Sequence, residues 1–189
     1  MSKRCLILVV SGPVASGKST LVRKIQEAYG AVVFATRDWL TQSLTASGVT
    51  TTDRRALQAE GEKYDVLTKG QWVRDGLINA LKSNTAATLV VLDSVRTKDQ
   101  VTVLRDMEET QVLHVHVTAP LAVLSARYEE RRKARADELP SYHEVHANPT
   151  ESQVDSLREI ADLVVDTSLE SPEDCLKKVA DLLSRRVNS

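Results

Sequence analysis

Six apolar residues, Cys5-Leu6-Ile7-Leu8-Val9-Val10, run without interruption into Ser11 and then into Gly12-Pro13-Val14-Ala15-Ser16-Gly17-Lys18-Ser19. No polar residue breaks the run, so neither face of the segment is suited to water. A segment of that kind is a strand buried on both sides, as in a parallel sheet. The glycines then turn the chain, and between Ser19 and Tyr29 the apolar residues Leu21, Ile25 and Ala28 return at helical spacing before Gly30. Strand, glycine turn and helix in immediate succession commit the chain to a sheet with helices packed on both faces.

The same alternation continues. Residues 31–35, 89–92, 112–117 and 163–165 read as four further strands, and helical patterns fill 97–107, 120–135, 150–161 and 172–186. The stretch 37–83 is polar and helix-rich, with no convincing strand. Residues 138–150, bracketed by Pro140 and Pro149, read as a loop between helices. The expected fold is α/β: one three-layer domain over 1–189 with a five-stranded parallel sheet, a helical insert at 37–83 and a short lid at 127–148.

A chain of 189 residues buries enough surface to need no staple. Its 25 Lys+Arg against 26 Asp+Glu give a net charge of −1, and 4% aromatic residues supply little for base stacking, so a polynucleotide track is disfavoured. The first apolar run is far short of a membrane span or a signal-peptide core. Two cysteines make no disulfide framework, which points to a reducing cytoplasm, and Cys5 is expected as a small buried hydrophobe.

Gly12 to Ser19 matches G-x-x-x-x-G-K-[ST], and the strand before it and helix after it are the context in which that pattern cradles phosphates. The glycines let backbone N–H groups turn inward around anionic oxygens, and the helix start adds its positive end. Lys18 supplies a mobile cation for β and γ phosphates, Ser19 a hydroxyl for Mg²⁺, and Thr20 a further phosphate contact. Gly12, Pro13, Val14, Ala15, Ser16, Gly17, Lys18, Ser19 and Thr20 are therefore the expected nucleotide site. Asp93 follows four apolar residues, where a carboxylate at the C-terminal end of a buried strand would help hold Mg²⁺; capping of the next helix is the competing role. No Asn-Lys-x-Asp guanine-reading signature occurs, so ATP is the expected phosphoryl donor.

Four further segments bear on the acceptor: Ala35-Thr36-Arg37-Asp38-Trp39-Leu40; Arg54-Arg55-Ala56-Leu57-Gln58-Ala59-Glu60-Gly61 with the later Gln71-Trp72-Val73; Asp93-Ser94-Val95-Arg96; and the arginines Arg127, Arg131, Arg132 and Arg135. In this order they resemble the nucleoside monophosphate kinase family. R-x-L-Q-x-x-G with a later W-V is similar to phage deoxynucleoside monophosphate kinases, and the Asp93–Arg96 turn resembles that of adenylate kinases. The chain is also similar to the kinase-like domain attached to some bacterial adenylosuccinate synthetases. The resemblance implies strand order 2-3-1-4-5 and Mg²⁺-dependent phosphoryl transfer from ATP to a nucleoside or deoxynucleoside monophosphate. Thr36, Arg37, Asp38, Arg54, Gln58 and Arg96 would bind the acceptor, and Lys18, Arg96, Arg127 and Arg131 would act in catalysis. The implied partner is a small-molecule nucleotide, with the chain a monomer or homodimer.

The chemistry agrees, because an acceptor that is already a phosphate needs no general base, only alignment and charge neutralisation. Arg37-Asp38 also resembles the segment of polynucleotide kinases, which keeps open a hydroxyl acceptor, a polynucleotide 5′ end or a small metabolite, with Asp38 as base. A nucleotide-binding module without turnover is the third reading. Arg55 reads as a surface residue and Trp72 as packing. His114 and His116 share one face of a strand but lack a third ligand, and His143 and His146 lack zinc-protease spacing, so no structural zinc is expected.

Overall fold

The computed structural model describes residues 5–51, 53–108, 110–134 and 139–187, without the side chains of Arg54, Arg186 and Val187. Strands β1 (Cys5–Ser11), β2 (Val32–Ala35), β3 (Leu89–Asp93), β4 (Thr110–Thr118) and β5 (Leu163–Asp166) form one parallel sheet in the expected order β2-β3-β1-β4-β5. Helix α1 (Lys18–Tyr29) follows β1, and α2 (Thr36–Ala46), α3 (Arg54–Thr68) and α4 (Gln71–Ser83) lie between β2 and β3. Helix α5 (Lys98–Arg105) joins β3 to β4. Helices α6 (Leu121–Ala134), α7 (Tyr142–His146) and α8 (Pro149–Ser156), with a 3₁₀ turn at Leu157–Ile160, lead to β5, and α9 (Pro172–Val187) ends the fold.

The opening apolar run has a direct structural cause. Ile7 and Val9 of β1 belong to a core with Phe34, Leu77, Val101 and Leu104, on the side of α4 and α5. Leu8 and Val10 belong to a second core with Leu21, Ile25, Val179 and Leu183, on the side of α1 and α9. All four β1 residues are fully buried. Each such side chain contributes about 1.5–3 kcal/mol of burial, so the central strand is anchored from both layers.

Local chemistry shapes the insert. Asp53 caps α3 by accepting the Ala56 N–H at 3.1 Å. Gly70, at φ 81°, turns the chain into α4, and a Cβ there would stand 2.8 Å from the backbone nitrogen of Gln100. This close approach sets the α3–α4 corner on the first turn of α5 and brings Trp72 and Gln100 to Asp65.

Three expectations are corrected. The segment 138–150 is not a plain loop: α7 lies inside it, with Ser141 and Glu144 forming a reciprocal capping box. A helix of five residues has too few repeats to show a period; it holds by burying Tyr142 and Val145 against Leu124 and Tyr128 of α6. The helix expected at 150–161 stops at Ser156 and tightens into the 3₁₀ turn. Cys5 is half-buried rather than buried, whereas Cys175 is buried; both are free thiols, pushed up in pKa by desolvation. Among the described residues no helix is long and apolar enough to cross a membrane.

A buried polar chain crosses from β1 to β4 just before the glycine loop. Ser11 Oγ lies 2.7 Å from His114 Nε2 and 2.9 Å from His116 Nδ1, and all three residues are at most 1% exposed. His114 Nδ1 faces the Ile160 carbonyl at 3.4 Å. That carbonyl only accepts, which assigns the His114 proton to Nδ1; Ser11 then donates to Nε2 and accepts from His116 Nδ1–H. Desolvation pulls both imidazoles down to about 4 from an ordinary 6.5, with mutual repulsion and Lys18 adding to the effect at His116.

A depressed histidine pKa leaves the unfolded chain binding more protons below 6.5, so stability is full above that pH and falls towards pH 4. Each unit of depression is worth about 1.4 kcal/mol. Thermal unfolding followed by circular dichroism should show Tm falling as pH drops from about 7 to about 5, a window above the range in which the ion-paired surface carboxylates titrate. A flat Tm across that window would contradict the neutral, buried assignment.

Candidate active site

The loop between β1 and α1 sits at the C-terminal edge of the sheet, where parallel sheets bind ligands. Gly12, at φ 142°, passes so close to β4 that a Cβ would run into the Val117 carbonyl. Gly17, at φ 95°, precedes the first turn of α1. Lys18 Nζ donates to the loop's own carbonyls, Gly12 O at 2.5 Å and Pro13 O at 2.9 Å, so the ammonium bridges the mouth of the loop. Ser16 Oγ is fully buried beneath the loop with no hydrogen-bond partner among the described residues, a deficit of about 1–3 kcal/mol. A glycine-lined turn, a helix start, a lysine and an orphan hydroxyl suit the phosphate oxygens of a nucleotide.

A cavity of about 740 Å³ opens from this loop. Val14 through Thr20 form its floor, and Thr36, Arg37, Gln58, Arg96, Arg127 and Arg131 all stand in its wall. The fold thus gathers most of the candidates from five separate segments. Of the candidates among the described residues, Gly12, Pro13, Asp38 and Asp93 are outside the lining. Asp38 is exposed on the first turn of α2, next to Arg37. Asp93 pairs in register with Val10 beside the loop, and its Oδ1 accepts the Ser94 hydroxyl at 3.1 Å. It does not cap α5, because Thr97 does, accepting the Gln100 N–H. The Arg54 side chain and all of Arg135 lie outside the described residues. Among the described residues no three His, Cys, Asp or Glu side chains are grouped to cage a metal.

Several of these side chains have structural duties. Thr36 Oγ1 donates to the carbonyls of Asp93 and Ser94, fastening α2 to the end of β3. Gln58 donates to Glu62 at 3.2 Å. Arg127 makes two 2.8 Å bonds to Thr167, which itself bonds the Ser16 carbonyl, so the arginine is tied to the loop through β5's exit. Arg131 is exposed, Arg132 pairs with Glu129, and Arg55 stands 3.7 Å from Glu144 on the surface. Trp72 packs against Trp39 and Tyr64.

Two carboxylates in the site escaped sequence reasoning. Glu151, 5% exposed in the first turn of α8, accepts the Val14 N–H at 3.2 Å and stands 3.7 Å from Arg96 Nη1. Its neighbour Thr150 bonds Glu62 of α3. Asp65 of α3 accepts Trp72 Nε1 at 2.7 Å and Gln100 Nε2 at 2.8 and 3.0 Å. Burial raises the Asp65 pKa against these two donors, which lower it. Gln100 in turn accepts the Arg96 N–H at 2.8 Å. Asp65 lies seven residues after Gln58, on the same helix face, a spacing that could have identified it. Nothing local marks Glu151, whose partner Val14 lies 137 residues away.

The sequence pattern of the chloramphenicol phosphotransferase-like protein family matches residues 5–184. The chain belongs to this family. It is therefore a P-loop kinase, a phosphotransferase with ATP as the phosphoryl donor. No curated protein matches its sequence. Among solved structures, an unliganded sugar kinase from Janibacter sp. HTCC2649 is 16% identical at a TM-score of 0.57, covering 95% of this chain and 94% of its own. TT1252 from Thermus thermophilus is 21% identical at 0.59, over 96% and 99%. Shikimate kinase from Aquifex aeolicus is 14% identical at 0.53, over 96% and 97%. These likenesses establish the fold. The family match supports the kinase superfamily of the sequence reading, not its narrower monophosphate kinase assignment.

Lys18→Ala should lower steady-state ADP release by about 10²–10³-fold, the usual cost of removing one preorganised charge stabiliser. The far-ultraviolet dichroism should be unchanged, since Lys18 belongs to none of the three buried cores. Near-normal turnover would remove the loop from catalysis.

Proposed function

We propose that this chain transfers the γ-phosphoryl group of ATP to a hydroxyl group of a small molecule. The observation that carries this reading is the pairing of Arg96 with Glu151. Arg96 is the arginine that a monophosphate acceptor would use beside the loop, yet a carboxylate only 5% exposed stands 3.7 Å from it. A phosphate dianion brought to Arg96 would meet that buried negative charge as well. A neutral hydroxyl meets no such repulsion. The family's name supports the reading too, since chloramphenicol offers hydroxyl groups to a phosphotransferase.

In this reading the acceptor oxygen attacks Pγ, the bond from Pγ to the β,γ-bridging oxygen breaks, and the products are a phosphate ester and ADP. The hydroxyl proton passes to a carboxylate, and Asp38, beside the wall at the start of α2, is the candidate base. The loop N–H groups and Lys18 hold the β and γ phosphates, while Arg127 and Arg131 face the charge that develops as the bond breaks. Ser19 and Asp93 would hold Mg²⁺, which neutralises charge across those phosphates.

A nucleoside monophosphate acceptor is the second reading, favoured by the presence of Arg37, Gln58 and Arg96 in one wall. ADP release measured with chloramphenicol, shikimate, glucose, AMP and dCMP separates the two. The hydroxyl compounds should include the turned-over acceptor, and Asp38→Asn should lower its kcat by about 10²–10⁴-fold. Turnover confined to AMP or dCMP and indifferent to Asp38→Asn would establish the monophosphate reading instead; no acceptor-dependent release at all would leave a nucleotide-binding module.

A further inference from the structure

Helix α3 turns Leu57, Gln58, Gly61, Glu62 and Asp65 to the cavity. Asp65 is the unusual member. Its carboxylate is held by two neutral donors from different helices, the Trp72 indole of α4 and the Gln100 amide of α5, and those two residues are only 4% and 2% exposed. Among the described residues no cation stands within ion-pair distance of it. A wall that needed only to join three helices could use a neutral amide; a half-buried carboxylate with no cation in direct contact, reached only by the more distant charge of Arg96, is a costlier substitute.

The arrangement also leaves part of the carboxylate unspent. Oδ1 accepts two hydrogen bonds and Oδ2 one, from a group with roughly four acceptor sites. The remaining capacity faces an active-site cavity whose water an acceptor must displace. A ligand that offers only acceptor atoms there, as a phosphate does, strips that oxygen of its donor and adds like charge. A ligand that offers O–H or N–H restores the bond.

We propose that Asp65 is a specificity-determining residue that binds a second donor group of the acceptor, a hydroxyl or an ammonium distinct from the hydroxyl that is phosphorylated. The acceptor is then a small polyhydroxylated or amino-alcohol compound, and the apolar side chains of Leu40 and Leu57 in the same wall accommodate its carbon skeleton. This rests on the hydroxyl reading of the site. Fixing the carboxylate through Trp72 and Gln100 keeps it in place before the ligand arrives, so that discrimination comes from the donor it fails to find when the wrong molecule enters.

The experiment compares wild type with Asp65→Asn in the ADP-release assay, using chloramphenicol, shikimate, glucose, glucosamine, AMP and dCMP, then the mono-deoxy forms of the hydroxyl compound turned over fastest. Asp65→Asn should lower kcat/KM for that compound by about 10²-fold with KM for ATP unchanged, because a site built to bond a donor loses at least that much when the bond is lost. In wild type, deleting one non-reacting hydroxyl should cost a similar factor, and in Asp65→Asn the same deletion should cost little. The deoxy series needs no variant, so it decides the matter even if Asp65→Asn does not fold. A flat wild-type series, or full acceptor kcat/KM in a folded Asp65→Asn enzyme, overturns the role of Asp65 and leaves the hydroxyl reading standing. Turnover of AMP or dCMP alone, or of no acceptor in the panel, overturns both.

Discussion

A strand that is dry on both faces must hand its chain to solvent at one end, and the backbone there has to meet something other than its own sheet. In this protein that end is Gly12. The burial of Ile7, Leu8, Val9 and Val10 between two helical layers fixes β1 in the middle of the sheet. Gly12, the residue just after the strand, then emerges where the Val117 carbonyl leaves no room for a side chain. The loop, the start of α1 and the Lys18 ammonium inherit their positions from that single constraint. Asp93 does as well, for its register with Val10 is set by the same strand.

Around this fixed loop the acceptor side is assembled from pieces that hold each other. Thr36 ties α2 to β3, Gly70 presses the α3–α4 corner onto α5, and Gln100 joins Asp65 to the backbone of Arg96. Helix α8 closes the ring from the other direction, with Thr150 on α3 and Glu151 on the loop. The cavity is therefore lined by charges of both signs, and it is their pairing, rather than their number, that decides what can bind. Arg96 read in isolation attracts a phosphate; Arg96 beside Glu151 does not to the same degree.

Much of the fold was legible because its signals are local and repeated: apolar runs for strands, glycines at turns, a phosphate-binding pattern in its proper setting. The phosphate loop needed only one continuous segment. The cavity wall was partly legible for the same reason, since Thr36, Arg37, Gln58 and Arg96 lie in short recognisable segments that do reach it. Helix α7 was hidden because one turn cannot display a period. Glu151 was hidden because its meaning comes from Val14, far away in sequence, and a buried carboxylate at a helix start looks like an ordinary first-turn acid. Gln58, expected to bind the acceptor, also bonds Glu62 one turn along the same helix, a partner that the residue type alone does not name.

The chain of Ser11, His114 and His116 makes these three positions inseparable in sequence change. Each hydrogen bond in it has a direction, and removing one imidazole leaves the serine hydroxyl, or the other ring, stranded in a place where no water reaches. Substituting one member alone is therefore costlier than substituting all three by apolar residues of matching volume, and the effects of single changes do not add. Drift at this seam between β1 and β4 can proceed only in concerted steps, and every intermediate step strains the strand end from which the phosphate loop departs.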